Sequence, residues 1–177
     1  MTKLKPIWAA GLIVVGLLYS PASGAPDWTI NLHGAGPVRV GMNLAQVRRA
    51  LNDPRAHRVG IPGESLDGCS SLESSAVPEA LDIMLLGGRV VRISVHQSGF
   101  RTASGAGVGD TEDRIKQLYP GRITVGPHPY EAGHYLTYRP ADPADRGYGM
   151  IFETDGKKVT SFRAGTEEAV ALIEGCA

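Results

Sequence analysis

The residues able to do chemistry are scattered. Five histidines, His33, His57, His96, His128 and His134, are spread along 177 residues. No His-Glu-x-x-His pair places two of them on one helical turn, as a zinc protease requires. His128 and His134 bracket Glu131 in one loop, but a structural or catalytic zinc needs three or four converging ligands. Asp53 and His57 are four apart with Pro54 between them, which keeps them off a single helical face. The Gly-x-Ser-x-Gly elbow and the Ser-x-x-Lys pair of hydrolases and acyl transferases are both missing. Gly105-Ala106-Gly107-Val108-Gly109 is glycine-rich but lacks the lysine of a phosphate-cradling loop, so it reads as a linker. Asp110, Glu112 and Asp113 would serve acid-base catalysis only if two converged in a cleft. A helix cap and a solvated first turn account for all three. No catalytic residue, metal or cofactor is assigned.

Two other residue sets stand out. Cys69 and Cys176 are the sole cysteines, and in an oxidising compartment an even pair is expected to bridge. Every tyrosine beyond residue 25 lies in the second half: Tyr119, Tyr130, Tyr135, Tyr138 and Tyr148. Tyrosine joins apolar area to a polar tip and is enriched where proteins bind one another. If the chain has a binding face, it is expected on this half, with Tyr130, His134, Tyr135, Tyr138 and Tyr148 as candidates. Packing of the second half is the competing explanation. Tyr135 and Tyr138 are three apart on one strand, so they cannot both point to the same side.

Compartment follows from residues 1–25, which have the three parts of a secretory signal. Lys3 and Lys5 supply a basic start, Pro6 to Tyr19 is an apolar run, and Ser23-Gly24-Ala25 offers small residues for cleavage. The run is shorter than the roughly 20 residues of a membrane-spanning helix. The mature chain is expected to start near Pro26, to span no membrane, and to be periplasmic or secreted. Two lysines leave with the signal, so 16 basic residues face 18 acidic ones. That balance has no electrostatic footprint for nucleic acid.

The elements that must position these residues come in a repeated order. At an offset of 68, Val40-Gly41 matches Val108-Gly109, Val47 matches Ile115, Leu51 matches Tyr119, and Gly87-Gly88 matches Asp155-Gly156. In each unit a Val-Gly segment leads into a capped helix. Asn43 and Gln46 form a capping-box pair ahead of the stripe Leu44, Val47, Ala50 and Leu51. Asp110 or Thr111 caps the second helix, whose stripe is Ile115, Leu118 and Tyr119. Strands follow: Cys69 to Glu73, then Leu81 to Leu86 and Arg89 to His96 about Gly87-Gly88. In the second unit they are His134 to Arg139, then Tyr148 to Thr154 and Lys157 to Arg163 about Asp155-Gly156. Trp28, Ile30 and Leu32 alternate as a first strand, and Thr166 to Glu174 reads as a short closing helix. Residues 60–68 and 126–133 read as irregular. The expected fold is α+β in one exported domain, residues 26–177. It consists of two repeats, about 34–98 and 102–165, with the helices on one face of a mostly antiparallel sheet.

The phrase Val40-Gly41-Met42-Asn43-Leu44-Ala45-Gln46-Val47, followed by a cysteine-bearing strand and a hairpin, resembles a known repeat. It is similar to the helix-plus-hairpin units of the β-lactamase-inhibitor-protein-like fold, shared with small outer-membrane assembly lipoproteins. The likeness runs from about Gly34 to Gly165 and implies a tandem repeat whose sheet presents a concave binding face. The lipoproteins carry one unit and a lipidated cysteine, whereas this chain reads as two units without that cysteine. Outer-membrane assembly is therefore not carried over. The expectation is a non-catalytic envelope protein that binds an envelope or extracellular protein, as an inhibitor, immunity protein or assembly factor does. A small-ligand carrier, a structural envelope protein or a hydrolase built from dispersed residues are the alternatives.

Overall fold

The computed structural model describes residues 27–60, 65 and 68–176. Residues 1–25, where a secretory signal is expected, and most of residues 61–67 lie outside the described residues. Three short strands come first, β1 (Ile30–Asn31), β2 (Gly34–Ala35) and β3 (Val38–Arg39), paired in that order. Helix α1 (Leu44–Leu51) follows, opened by the expected capping box. Asn43 Oδ1 accepts from the Gln46 amide at 2.9 Å, and Gln46 Oε1 accepts from the Asn43 amide at 2.9 Å. Four strands come next: β4 (His57–Val59), β5 (Cys69–Glu73), β6 (Leu81–Leu86) and β7 (Arg89–Val95). Helix α2 (Glu112–Leu118), capped by Thr111, then precedes β8 (Ile123–Pro127), β9 (His134–Tyr138), β10 (Tyr148–Thr154) and β11 (Val159–Thr166). A one-turn 3-10 helix, Pro143–Asp145, bridges β9 and β10. The last helix, α3 (Glu167–Ala171), is capped by Thr166.

β4 to β11 form one eight-stranded sheet in the order β4-β5-β6-β7-β11-β10-β9-β8. Every pairing in it is antiparallel. Two successive meanders thus meet at their last strands, with Phe162 opposite Val95 and Arg163 opposite Ser94. The architecture is mixed, with more sheet than helix.

Alternation along each strand separates two faces. Ile83 and Leu85, Ile93 and Val95, Phe162 and Ala164, Phe152 and Leu136 enter one hydrophobic core, joined by Val47 from α1 and Ile115 from α2. Phe152 and Phe162, cross-strand partners, are both fully buried with ring centroids 5.5 Å apart. The residues between them, Arg92 and Ser94, Arg163 and Ser161, Glu153, and Tyr135, point the other way.

The turns show where a sequence reading fails. Gly87 and Gly88 have φ of 56° and 72°, the two-residue turn their sequence implies. Asp155-Gly156 is part of a longer connection, because β10 ends at Thr154 and β11 begins at Val159. There the Asp155 carboxylate accepts the Lys157 and Lys158 amides, both at 2.8 Å, and folds the loop around itself. β4 and β8 were not expected. β8 takes in Gly126-Pro127, which sequence places in a loop, because Pro127 ends the outermost strand and has no further strand to bond. The closing helix is shorter than Thr166 to Glu174. It stops at Ala171, and residues 172–176 run on through bends and a turn as a strap.

Candidate functional site

That strap makes the site. It starts from α3, crosses the face of the sheet opposite the core, and is tied down at its far end by a disulfide between Cys176 and Cys69 on β5. Two arginines hold it from below. Arg92 Nη1 donates to the Ala169 and Leu172 carbonyls at 3.1 and 2.8 Å. Arg163 Nε donates to the Val170 carbonyl at 2.6 Å. At the edge, the Tyr130 hydroxyl donates to Glu174 Oε1 at 3.0 Å.

Strand register sets the residues beneath the strap in rows. Tyr135, Glu153 and Ser161 lie side by side on β9, β10 and β11. Arg163, Ser94 and Asp82 lie side by side on β11, β7 and β6. Arg163 Nη1 is ion-paired with Glu153 Oε1, Ser161 donates to Glu153 Oε2 at 3.0 Å, and the Arg163 guanidinium sits 5.2 Å from the Tyr135 ring centroid. The His128 ring packs on Tyr135 at 4.8 Å, with its Nε2 3.9 Å from Glu153.

Between sheet and strap is a polar pocket of about 130 Å³, lined by Arg92, Ser94, His96, Glu153, Arg163 and Ile173 among others. Exposed His96 and Ile173 mark its open side. Arg92, Arg163 and Ser94 are 5, 5 and 4 % exposed, yet each keeps an unused polar atom. Among the described residues, Arg92 Nε, Arg163 Nη2 and Ser94 Oγ, all buried, have no hydrogen-bond partner. Leaving such a group unsatisfied costs about 1–3 kcal/mol, more if it is charged. The Tyr135 hydroxyl is near enough to Glu153 and Arg163 for both to affect its ionisation, but it meets neither at hydrogen-bonding geometry.

Titration follows the same crowding. Burial, reinforced by Arg163, pushes the Arg92 guanidinium below its ordinary value. Burial alone would raise the Glu153 carboxyl, but Arg163, Ser161 and Tyr135 outweigh it and hold it below the ordinary carboxyl range. Burial dominates in lifting the Tyr135 phenol.

The five candidates from sequence do not share one surface. Tyr135 and Tyr130 lie at the strap side, and Tyr130 is 67 % exposed. Tyr138 is half-buried against the core, 4.6 Å from Tyr119, and Tyr148 packs on His33 at 4.3 Å. His134 turns to α2, where its Nδ1 meets Glu112 Oε1 at 2.7 Å. The Thr154 hydroxyl donates to that same oxygen at 2.6 Å. Glu112 is therefore not the solvated first-turn residue its position implies; it ties α2 to the ends of β9 and β10. His134 and His128 also diverge, since His128 faces Glu153. No group of three His, Cys, Asp or Glu side chains among the described residues could hold a metal ion.

Arg92, Ser94, Glu153 and Arg163 went unnoticed in the sequence. Each occupies the polar alternate of a half-buried strand and reads as solvent-facing. The signal that could have found them is Cys176, whose bridge to Cys69 on β5 draws the last residues from α3 past β7 and β6.

No protein family and no curated protein matches the chain. Among solved structures it is similar to one titled "Crystal structure of the uncharacterized protein yfeY from Escherichia coli". Identity is 15%, with 77% of this chain and 99% of that one covered and a TM-score of 0.40, a likeness that carries no argument.

Proposed function

We propose that this chain is an exported, non-catalytic binding protein of the periplasm or extracellular medium, and that it receives an anionic group of a larger partner in the pocket beneath its C-terminal strap. The observation carrying this reading is the set of unused donors on Arg92, Arg163 and Ser94, buried together around one opening. Buried guanidinium groups are strongly favoured to meet an anion, with which they form charge-assisted hydrogen bonds.

The pocket is well below the roughly 300–1,000 Å³ that encloses a whole small ligand, which favours a group projecting from something larger over a carried molecule. Tyr130, Leu172 and Ile173 stand exposed along the strap and offer contact area for the rest of the partner. A bridge between Cys69 and Cys176 fits an oxidising compartment, and no helix among the described residues is long and apolar enough to cross a membrane. The order helix, then four antiparallel strands, occurring twice, supports an internal duplication, with α1 and α2 serving one core.

A hydrolase is less well served by this geometry. Ser161 is bonded to Glu153, a carboxylate committed to Arg163 and lowered in basicity, and the Ser94 oxygen contacts no base. The reading is tested by melting the mature, oxidised chain against acidic, neutral and basic small molecules and short peptides. Acidic compounds are expected to raise the melting temperature of the wild type and not of Arg92→Met. An equal response to neutral compounds, or the same response in the variant, rejects it.

A further inference from the structure

We infer that the group received is a single carboxylate, held side-on by Arg92 with Ser94 beside it. The inference rests on the anion-binding reading above and names its ligand class.

Arg92 spends Nη1 on the carbonyls of Ala169 in α3 and Leu172 at the start of the strap. Its Nε is buried without a partner, and its Nη2 lies beside Gly175 near the end of the strap. Nε–H and one Nη2–H point the same way along one edge of a planar guanidinium. That edge matches the two oxygens of a carboxylate in a bidentate pair. Ser94, two residues along β7 and on the same face, adds a hydroxyl donor, and Arg163 adds its unused Nη2 across the pocket.

Charge makes the same selection. The lining holds two guanidiniums, and one of them is balanced by Glu153. The remaining buried charge is a single positive one, which a monoanion neutralises. Asp82, beside Ser94 in register, attracts Arg92 from outside the lining, but it is partly exposed and solvent screens it. A doubly charged phosphate would bring surplus negative charge against Glu153 in a space of low dielectric, where like charges repel strongly. Ile173, at the open side, offers the apolar contact that suits the short carbon chain carrying a carboxylate.

Such a carboxylate has two sources, a small free acid or the terminus of a peptide. Calorimetry on the mature oxidised chain separates them, using acetate, an N-acetylated alanine dipeptide as free acid and as C-terminal amide, and inorganic phosphate. The free acid is expected to bind and the amide not. Arg92→Met is expected to weaken the free acid about tenfold to a hundredfold, the loss of one charged hydrogen-bonded contact. Acetate binding as tightly as the dipeptide acid supports a small free acid, and much weaker acetate supports a peptide terminus. Equal binding of acid and amide overturns the inference. Phosphate binding without carboxylate binding overturns the carboxylate while leaving the anion site standing; binding of nothing removes both.

Since Arg92→Met also removes one bond to α3 and one to the strap, a second variant is needed. Glu153→Gln raises the pocket's net charge from one to two and is expected to move the preference from acetate towards phosphate by about tenfold or more. An unchanged preference in a variant that still melts cooperatively overturns the charge argument.

Discussion

Replacing Cys69 and Cys176 together by serine removes a tether between β5 and the end of the chain. Their sequence separation is 107 residues. In the chain-entropy description, freeing a loop of that length returns about 4.7 kcal/mol of conformational freedom to the unfolded state. For a domain of this size each kcal/mol moves the melting temperature by about 2–4 °C. A fall of roughly 10–20 °C is therefore expected by circular dichroism or calorimetry. The folded state should lose something locally as well. Without the bridge, residues 172–176 keep, among the described residues, the Leu172 amide bond to Ala169, the Arg92 bond to Leu172 and the exposed Tyr130–Glu174 bond. α3 keeps its bonds to Arg92 and Arg163. Hydrogen exchange should accelerate past Leu172 and change little in β7 and β11. The reduced wild type should match the double variant, which controls for the serines. A fall below about 3 °C with exchange unchanged past Leu172 would refute the view that the bridge holds the strap to the sheet.

Two further perturbations probe the sheet beneath it. Gly165 has φ of +154°, and a Cβ there would come within 2.1 Å of the Val91 carbonyl oxygen. Gly165→Ala is expected to cost about 3 kcal/mol or more in urea unfolding. Gly105→Ala, at φ +85° in open space, should cost about 1–2 kcal/mol; equal costs would contradict the close approach of β11 to β7. The second concerns pH. The Glu153 carboxyl is lower in the folded chain than its ordinary 4.5, so the unfolded chain takes up that proton first. Its contribution is complete above that ordinary value and is lost as pH falls through the folded one. Glu153→Gln should flatten this acid slope, while Glu112, also held low against its burial by Thr154 and His134, preserves part of it. The variant should also lose about 3–5 kcal/mol at neutral pH by stranding Arg163; an acid slope as steep as wild type would contradict the pairing.

What the sequence disclosed follows from the range of each interaction. α1 is legible because its start is local: Asn43 and Gln46 are three apart and satisfy each other's amides. The β6–β7 hairpin is legible because Gly87-Gly88 alone dictates its turn. β4 is three residues long and exposed at two of them, so it exists by pairing with β5 and has no pattern of its own. The site failed for the same reason. Arg92 and Ser94 alternate with Ile93 and Val95 as any half-buried strand does. Only the strap, brought there from more than seventy residues away, turns an outward face into an interior. The tyrosines of the second half mix two faces, since Tyr138 packs with Tyr119 while Tyr135 packs with His128 and Arg163.

Arginine side-chain ¹⁵N–¹H correlation spectra recorded during an acetate titration would watch the free edge of Arg92 itself as an anion arrives. A saturable shift is expected of the Arg92 Nε–H resonance, a smaller one of Arg163, and none of Arg101, which is exposed and engaged with Asp110. An Arg92 resonance that stays fixed, or moves only in proportion to every surface arginine, would contradict anion binding at that edge.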